Sequence, residues 1–131
     1  MAITKVMVIE PDVLIRMTIS DFLQECGYHV IQGVRAEDVW TVLDSGTTLN
    51  IVFAEVNLPG GSDGFALAKN LRQKQPDIDV ILTSGIVDAA EKSSDLCGLS
   101  AVRKPYHPQQ VIDRIHALLE QRRSAQTIRG E

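Results

Sequence analysis

Long hydrophobic runs are missing from this chain: nothing in it approaches the roughly twenty consecutive apolar residues of a membrane-spanning helix, so no membrane association is expected. The opening "MAITKVMVIE" carries one lysine and no small-residue cleavage site, so a first strand is expected there instead of a signal peptide, which implies a cytoplasmic protein. Basic charge is not in excess either. The 13 Lys and Arg are outnumbered by 17 Asp and Glu, the net charge is −4, and the cations are scattered. Counterion release at nucleic acid or anionic lipid needs clustered cations, so neither partner is expected. The one small cluster, "EQRRSAQTIRGE", is expected to be a solvated helix end and frayed tail. Cysteine is scarce: Cys26 and Cys97 share no metal-type spacing with each other or with a histidine, so buried free thiols are expected and not a disulfide or zinc site. His29, His107 and His116 are too dispersed for a phosphohistidine relay or a metal site. No histidine stands at a recognisable spacing to activate Thr18 or Ser20.

What the chain does have is a regular alternation. Its 131 residues suit one domain, burying roughly two-thirds of the unfolded surface. The apolar run "ITKVMVI" reads as a strand, and Ile15, Ile19, Phe22 and Cys26 then fall at helical spacing, with Gly27 closing the helix. "YHVIQ" is a second strand and "RAEDVWTVLDSG" a second helix, with Trp40 packing on the sheet. "NIVFA", "DGFALAKNLRQKQ" and "IDVILTS" continue as strand, helix and strand, Pro76 stopping the helix. "VDAAEKSSDLCG" reads as a weaker, mobile helix and "SAVRK" as a fifth strand. Pro108 opens a last helix striped by Val111, Ile112, Ile115, Leu118 and Leu119. Almost continuously apolar strands alternating with helices imply a parallel sheet covered on both faces.

In such sheets the functional crevice lies beyond the carboxyl ends of the strands. The strand ends deliver Glu10, Pro11 and Asp12; Glu55 and Asn57; Thr83, Ser84 and Gly85; and Arg103, Lys104 and Pro105. Crowded carboxylates favour a cation or a lysine among them, a hydroxyl and an ammonium can bind phosphoryl oxygens, and a carboxylate can accept a phosphoryl group as an acyl phosphate.

In order and spacing, "VMVIEPDVLIRM", "EVNLPGGSDGFALA", "DVILTSG" and "KPY" resemble the receiver domain of bacterial two-component response regulators. The resemblance covers residues 3 to about 122. It implies a flavodoxin-like (βα)5 three-layer sandwich with a five-stranded parallel sheet of order 2-1-3-4-5, a receiver domain at 1–122 and a tail at 123–131. It also implies a phosphoryl group taken from a histidine kinase onto an aspartate at the end of strand three, with Mg2+ held by acids at the end of strand one. By position, Glu55 stands at the acceptor, Ser84 is the phosphoryl-binding hydroxyl with Thr83 as its register alternative, and Lys104 is the lysine. Glu10, Asp12, Glu55 and Asn57 are the candidate metal positions, Asn57 through its backbone carbonyl. For Asp12 a helix N-cap is the competing reading.

Three positions depart from the family pattern. Glu55 replaces the aspartate, and its extra methylene moves the carboxylate outward by up to about 1.5 Å, where in-line transfer tolerates little error. Pro11 replaces the second acid of the strand-one pair, removing a direct Mg2+ ligand. Ala101 stands where receivers often carry an aromatic switch residue. The expectation is a stand-alone receiver that keeps the fold and the partner surface, is not an enzyme, and has lost ordinary phosphorylation and Mg2+ binding. Glu55 then either imitates part of the phosphorylated state by reaching Lys104 and Ser84, or forms a plain ion pair with Lys104. After Arg122 the sequence given is too short for an effector domain, so output through a signalling protein in trans is expected, from a monomer or weak homodimer. By family analogy the contact face is helix four, strand five and helix five. The alternatives are a receiver that is still phosphorylated with Mg2+ and, from another class, a small flavodoxin-fold enzyme or nucleotide binder using the "LPGGSDG" backbone. Against the last, no P-loop lysine or Gly-x-Gly-x-x-Gly follows a strand.

Overall fold

The computed structural model describes residues 3–100 and 107–128. The elements run β1 (Lys5–Ile9), α1 (Val13–Glu25), β2 (His29–Gly33), α2 (Glu37–Asp44), β3 (Ile51–Glu55), α3 (Gly64–Lys74), β4 (Asp79–Thr83), α4 (Gly85–Gly98) and α5 (Pro108–Ile128). Among the described residues the sheet has four parallel strands in the order β2-β1-β3-β4. The expected fifth strand "SAVRK" falls almost wholly on residues outside the described ones, so the five-stranded order is replaced here by a four-stranded one.

Side-chain alternation along the strands builds two cores. Val6, Val8, Ile51 and Phe53 point to one face, where Ile19 and Phe22 of α1, Ala89, Ala90, Leu96 and Cys97 of α4, and Val111 and Ile115 of α5 cover them. Met7, Ile9, Val52 and Ala54 point to the other, under Val39 of α2 and Leu67 and Leu71 of α3. Trp40 packs against this second core as expected, with the Lys74 ammonium 5.5 Å from its ring centroid.

The position of α4 departs from the repeating pattern. With strands ordered 2-1-3-4, right-handed crossovers place α1 on one face and α2 and α3 on the other. A further right-handed crossover outward from β4 would put α4 beside α2 and α3, whereas α4 packs with α1 and α5. The edge of β4 is met by the Lys92 ammonium, which donates to the Leu82 carbonyl.

Local chemistry sets the helix ends. Asp12 is the N-cap of α1, its Oδ1 accepting from the amides of Leu14 at 2.9 Å and Ile15 at 3.1 Å. Asp63 caps α3 in the same way through the Ala66 amide at 2.8 Å. Gly27, at φ 97°, follows the C-cap of α1 and turns the chain into β2. The segment expected as a weak helix is a continuous α4 with six buried residues. The final helix continues past the expected boundary at 122 as far as Ile128. Arg114 of α5 clamps Glu25 at the end of α1 with two parallel bonds of 3.0 and 3.2 Å.

The cysteines correct the expectation of free thiols. Both are buried, and they form a disulfide between the C-cap of α1 and the last turn of α4, with Cα atoms 5.5 Å apart. Spacing along the chain could not show this pairing, because it depends on which face of the sheet α4 takes.

Candidate functional site

The carboxyl ends of β1, β3 and β4 open on the same side, and parallel pairing sets which side chains meet there. Glu55 is the register partner of Thr83 on the neighbouring strand, so the two side chains share one face. The Glu55 carboxylate accepts from the Gly85 amide at 3.2 Å and, at 3.5 Å, from the Thr83 hydroxyl. Its other oxygen lies 3.5 Å from the Asn57 amide. Gly85 holds φ at 83°, a conformation that glycine adopts freely and other residues rarely do, and its amide at the start of α4 reaches back to Glu55.

Gly64 brings α3 against the end of β3. Its amide donates to the Val56 carbonyl at 2.8 Å, and a Cβ there would lie 2.7 Å from the Glu55 carbonyl oxygen and 2.8 Å from the Val56 Cα. Only glycine permits that approach without moving backbone.

Glu10 stands beside this pair. Its Oε2 accepts from the Asp12 amide at 2.7 Å, across Pro11, which has no amide hydrogen to offer. Burial lifts the Glu10 carboxyl from its ordinary 4.5 to about 6. The Asp12 amide opposes the rise, the Glu55 and Asp12 charges add to it, and Arg16 counters it. Arg16 also donates to the Glu10 backbone carbonyl at 2.9 Å and to Gln32 Oε1 at 3.2 Å. This arginine was not singled out in the sequence; the signal was a lone cation one helical turn after Asp12.

Of the expected site residues, Glu10, Asp12, Glu55 and Asn57 converge, joined by Thr83 and Gly85. Ser84 takes another place: it is the exposed N-cap of α4, and its amide donates to Asp88 Oδ2 at 2.9 Å. That amide, followed by the Lys92 ammonium 3.1 Å away, holds the Asp88 carboxyl below its ordinary value against an opposing cost of burial. Among the described residues the hydroxyl that reaches Glu55 is therefore the register alternative, Thr83. Lys104 and Ala101, with Arg103 and Pro105, lie outside the described residues.

The donor set bears on Mg2+. Asp12 Oδ1 is engaged by two helix amides, Pro11 supplies no side-chain ligand atom, and among the described residues no three His, Cys, Asp or Glu side chains are grouped to hold a metal ion. Glu10 and Glu55 are the carboxylates left facing the crevice. A hard cation requires six or more oxygens, so water would have to supply most of its shell.

The rim of the crevice is unexpectedly apolar. Val13 in the first turn of α1, Phe65 in that of α3 and Val87 in that of α4 are 43%, 66% and 57% exposed, and Met17, one turn after Val13, is 48% exposed.

Comparison with known proteins agrees with this geometry. The family model described as the response regulator receiver domain matches residues 6–116. The transcriptional regulatory protein AruR of Pseudomonas aeruginosa is 30% identical over 98% of this chain and 54% of its own length. The aerobic respiration control protein ArcA of Escherichia coli is 24% identical over 96% of this chain and 52% of its own. The chain thus spans about half the length of these curated relatives. Among solved structures, the signal receiver domain of an HD domain-containing protein from Pseudomonas fluorescens superposes with a TM-score of 0.61 at 19% identity, over 94% of this chain and 99% of that one. The response regulator DrrB of Thermotoga maritima gives 0.57 at 25% identity, over 92% of this chain and 54% of that one. Receivers work with histidine kinases and other signalling proteins and use Mg2+ when they are phosphorylated. A parallel sheet whose strand ends gather Glu10, Glu55 and Thr83, together with a family match over most of the sequence, makes this chain a member of the response regulator receiver domain family.

Proposed function

We propose that this receiver acts in two-component signalling as a protein-interaction module that works without phosphorylation. The observation that carries the reading is the state of the acceptor position. Glu55 already has partners where a phosphoryl group would need room and donors: the Gly85 amide and the Thr83 hydroxyl. A carboxylate holding the first amide of α4 imitates part of what a phosphoryl group does, with about one negative charge against nearly two. The imitation is partial, and Glu55 biases α4 toward one fixed position.

The strand-one end supports the same reading. With Pro11 in place of an acid and Asp12 capping α1, Mg2+ binding is weak or absent. A signalling protein receives the output, and the exposed Val13, Met17, Phe65 and Val87 around the crevice give it an apolar docking rim. The domain occupies 1–122, in the cytoplasm, as a monomer or weak homodimer that binds no nucleic acid and catalyses no reaction of its own.

The test is to incubate the chain with Mg2+ and acetyl phosphate and to read its intact mass, with a Glu55→Asp, Pro11→Asp double variant in parallel. The expected result is no phosphoryl increment on the unchanged chain and an alkali-labile increment on the double variant. An increment on the unchanged chain would overturn the proposal and establish the alternative, a phosphorylated Mg2+-dependent receiver.

A further inference from the structure

The disulfide between Cys26 and Cys97 lies outside the crevice, yet it holds the same helix that Glu55 holds. Gly85, the first residue of α4, donates to Glu55, while Cys97 in its last turn is bonded to the C-cap of α1. Between these two anchors, the face that α4 buries is made mostly of small groups, Ala89, Ala90, Ser93 and Ser94, with Leu96 the larger apolar side chain beside Cys97. Small side chains bury little apolar area, so most of this interface gains little from the hydrophobic effect. It also carries a cost. The hydroxyls of Ser94 on α4 and Ser20 on α1 are buried, and among the described residues neither has a hydrogen-bond partner. Apart from the disulfide, the C-terminal end of α4 is tied by the Tyr28 hydroxyl, which donates to the Leu96 carbonyl at 2.6 Å.

We propose that Cys26 and Cys97 form a regulatory dithiol–disulfide couple whose oxidised state latches the C-terminal half of α4 to α1. The co-reactant is a low-molecular-weight thiol and its disulfide. In the reducing direction one external thiolate attacks Cys97 Sγ, the S–S bond breaks, and Cys26 leaves as a thiolate that takes up a proton. A second external thiolate then attacks the external sulfur of the mixed disulfide, forming the external disulfide and releasing Cys97, which takes up the second proton. Two electrons pass from two external thiols to the protein. The Phe22 carbonyl lies 3.9 Å from Cys97 Sγ and can accept from the thiol so formed.

Access to a buried sulfur follows from its position. Cys97 is in the last turn of α4, next to Gly98, which is exposed, and Leu99, which is 83% exposed. Unwinding that turn uncovers the bond by lifting Leu96 and Cys97 from the first core while leaving the second intact. Local opening of this kind costs far less than global unfolding where few apolar contacts are broken. Reduction then leaves the far end of α4 held by Leu96 and by a partly unsatisfied face of small groups, loosening that end while Glu55 still holds its start.

The test uses the full chain, equilibrated in glutathione buffers of graded reduced-to-oxidised ratio, quenched with acid and alkylated, with thiols counted by intact mass. Amide hydrogen exchange is followed in the same samples. The expected result is one two-thiol transition within the buffer range and, on reduction, exchange in Glu91–Gly98 faster by at least about tenfold, with β1 and β3 unchanged. A Cys26→Ser, Cys97→Ser double variant should show the reduced pattern in every buffer. The proposal is overturned if no disulfide forms in the most oxidising buffer, or if the bond resists the most reducing one in the folded chain. It is also overturned if α4 exchange is the same in both states, or if all elements lose protection together, which would make the bond a structural staple.

Discussion

Replacing Glu10 by glutamine should stabilise the protein above neutral pH and change nothing in acid. The carboxyl is raised from 4.5 to about 6, chiefly because folding takes it partly out of water. Between those values the folded chain holds the proton more tightly than the unfolded chain, so stability falls as pH rises. The favourable contribution of the protonated group is complete below 4.5 and gone above about 6. Each pH unit of displacement is worth about 1.4 kcal/mol, which puts the ceiling at about 2 kcal/mol. Glu10 is half-buried and screened by solvent, so about 1 kcal/mol is the working figure. The Glu10→Gln side chain has no charge to desolvate, and its amide oxygen can still accept from the Asp12 amide. Urea unfolding followed by Trp40 fluorescence should put the variant's midpoint about 0.3–1 M above the unchanged chain at pH 7.5, given a slope of 1–3 kcal/mol per molar. The two midpoints should coincide near pH 4. A gap that stays constant across pH, or a variant that is less stable at pH 7.5, would refute the reasoning. The second outcome would mean that Glu10 is ionised to advantage, paired with a cation stronger than Arg16.

The remaining expectations concern the caps, the close approach at Gly64 and the rim. Gly64→Ala places a methyl 2.7 Å from the Glu55 carbonyl oxygen and should cost at least about 2 kcal/mol in urea unfolding; a loss below half of that would show that the backbone there gives way. Asp12→Ala should lose about 1 kcal/mol of stability and Asp12→Ser should restore most of it, because serine caps a helix as well as aspartate does. Equal losses in both variants would instead assign the carboxylate a charge-dependent role. Phe65→Ser together with Val87→Ser should leave the urea midpoint unchanged within error, since both side chains are more than half exposed, and should weaken binding to a captured signalling partner by tenfold or more. Unchanged affinity would remove the apolar rim from the docking surface.

Much of this arrangement was legible in the sequence, for local reasons. Apolar runs and helical spacing located each described element, and Gly27, Asp63 and Pro108 mark boundaries through backbone chemistry that acts over a few residues. The convergence of Glu10 and Glu55 followed from parallel strands ending on one side. What escaped depended on choices made in space. Whether Thr83 or Ser84 faces Glu55 turns on strand register, where one step reverses a side chain, and the pairing of Glu55 with Thr83 settles it. The disulfide escaped because it joins residues 71 apart and requires α4 on the α1 face. Arg16 escaped because an exposed-face arginine on a helix looks the same in sequence whether or not it turns back to a strand end.

The hydrogen bond from the Gly64 amide to the Val56 carbonyl closes the neck of the segment between β3 and α3. Residues 58–62 therefore hang from a pinched base held by the Gly64–Val56 bond and the Asp63 cap. Insertions, deletions or a grafted recognition sequence at the tip of that segment would change what the crevice meets while leaving the Glu55 backbone in place. Evolution could retarget this receiver by exchanging one loop, and a protein engineer could use the same point of attachment.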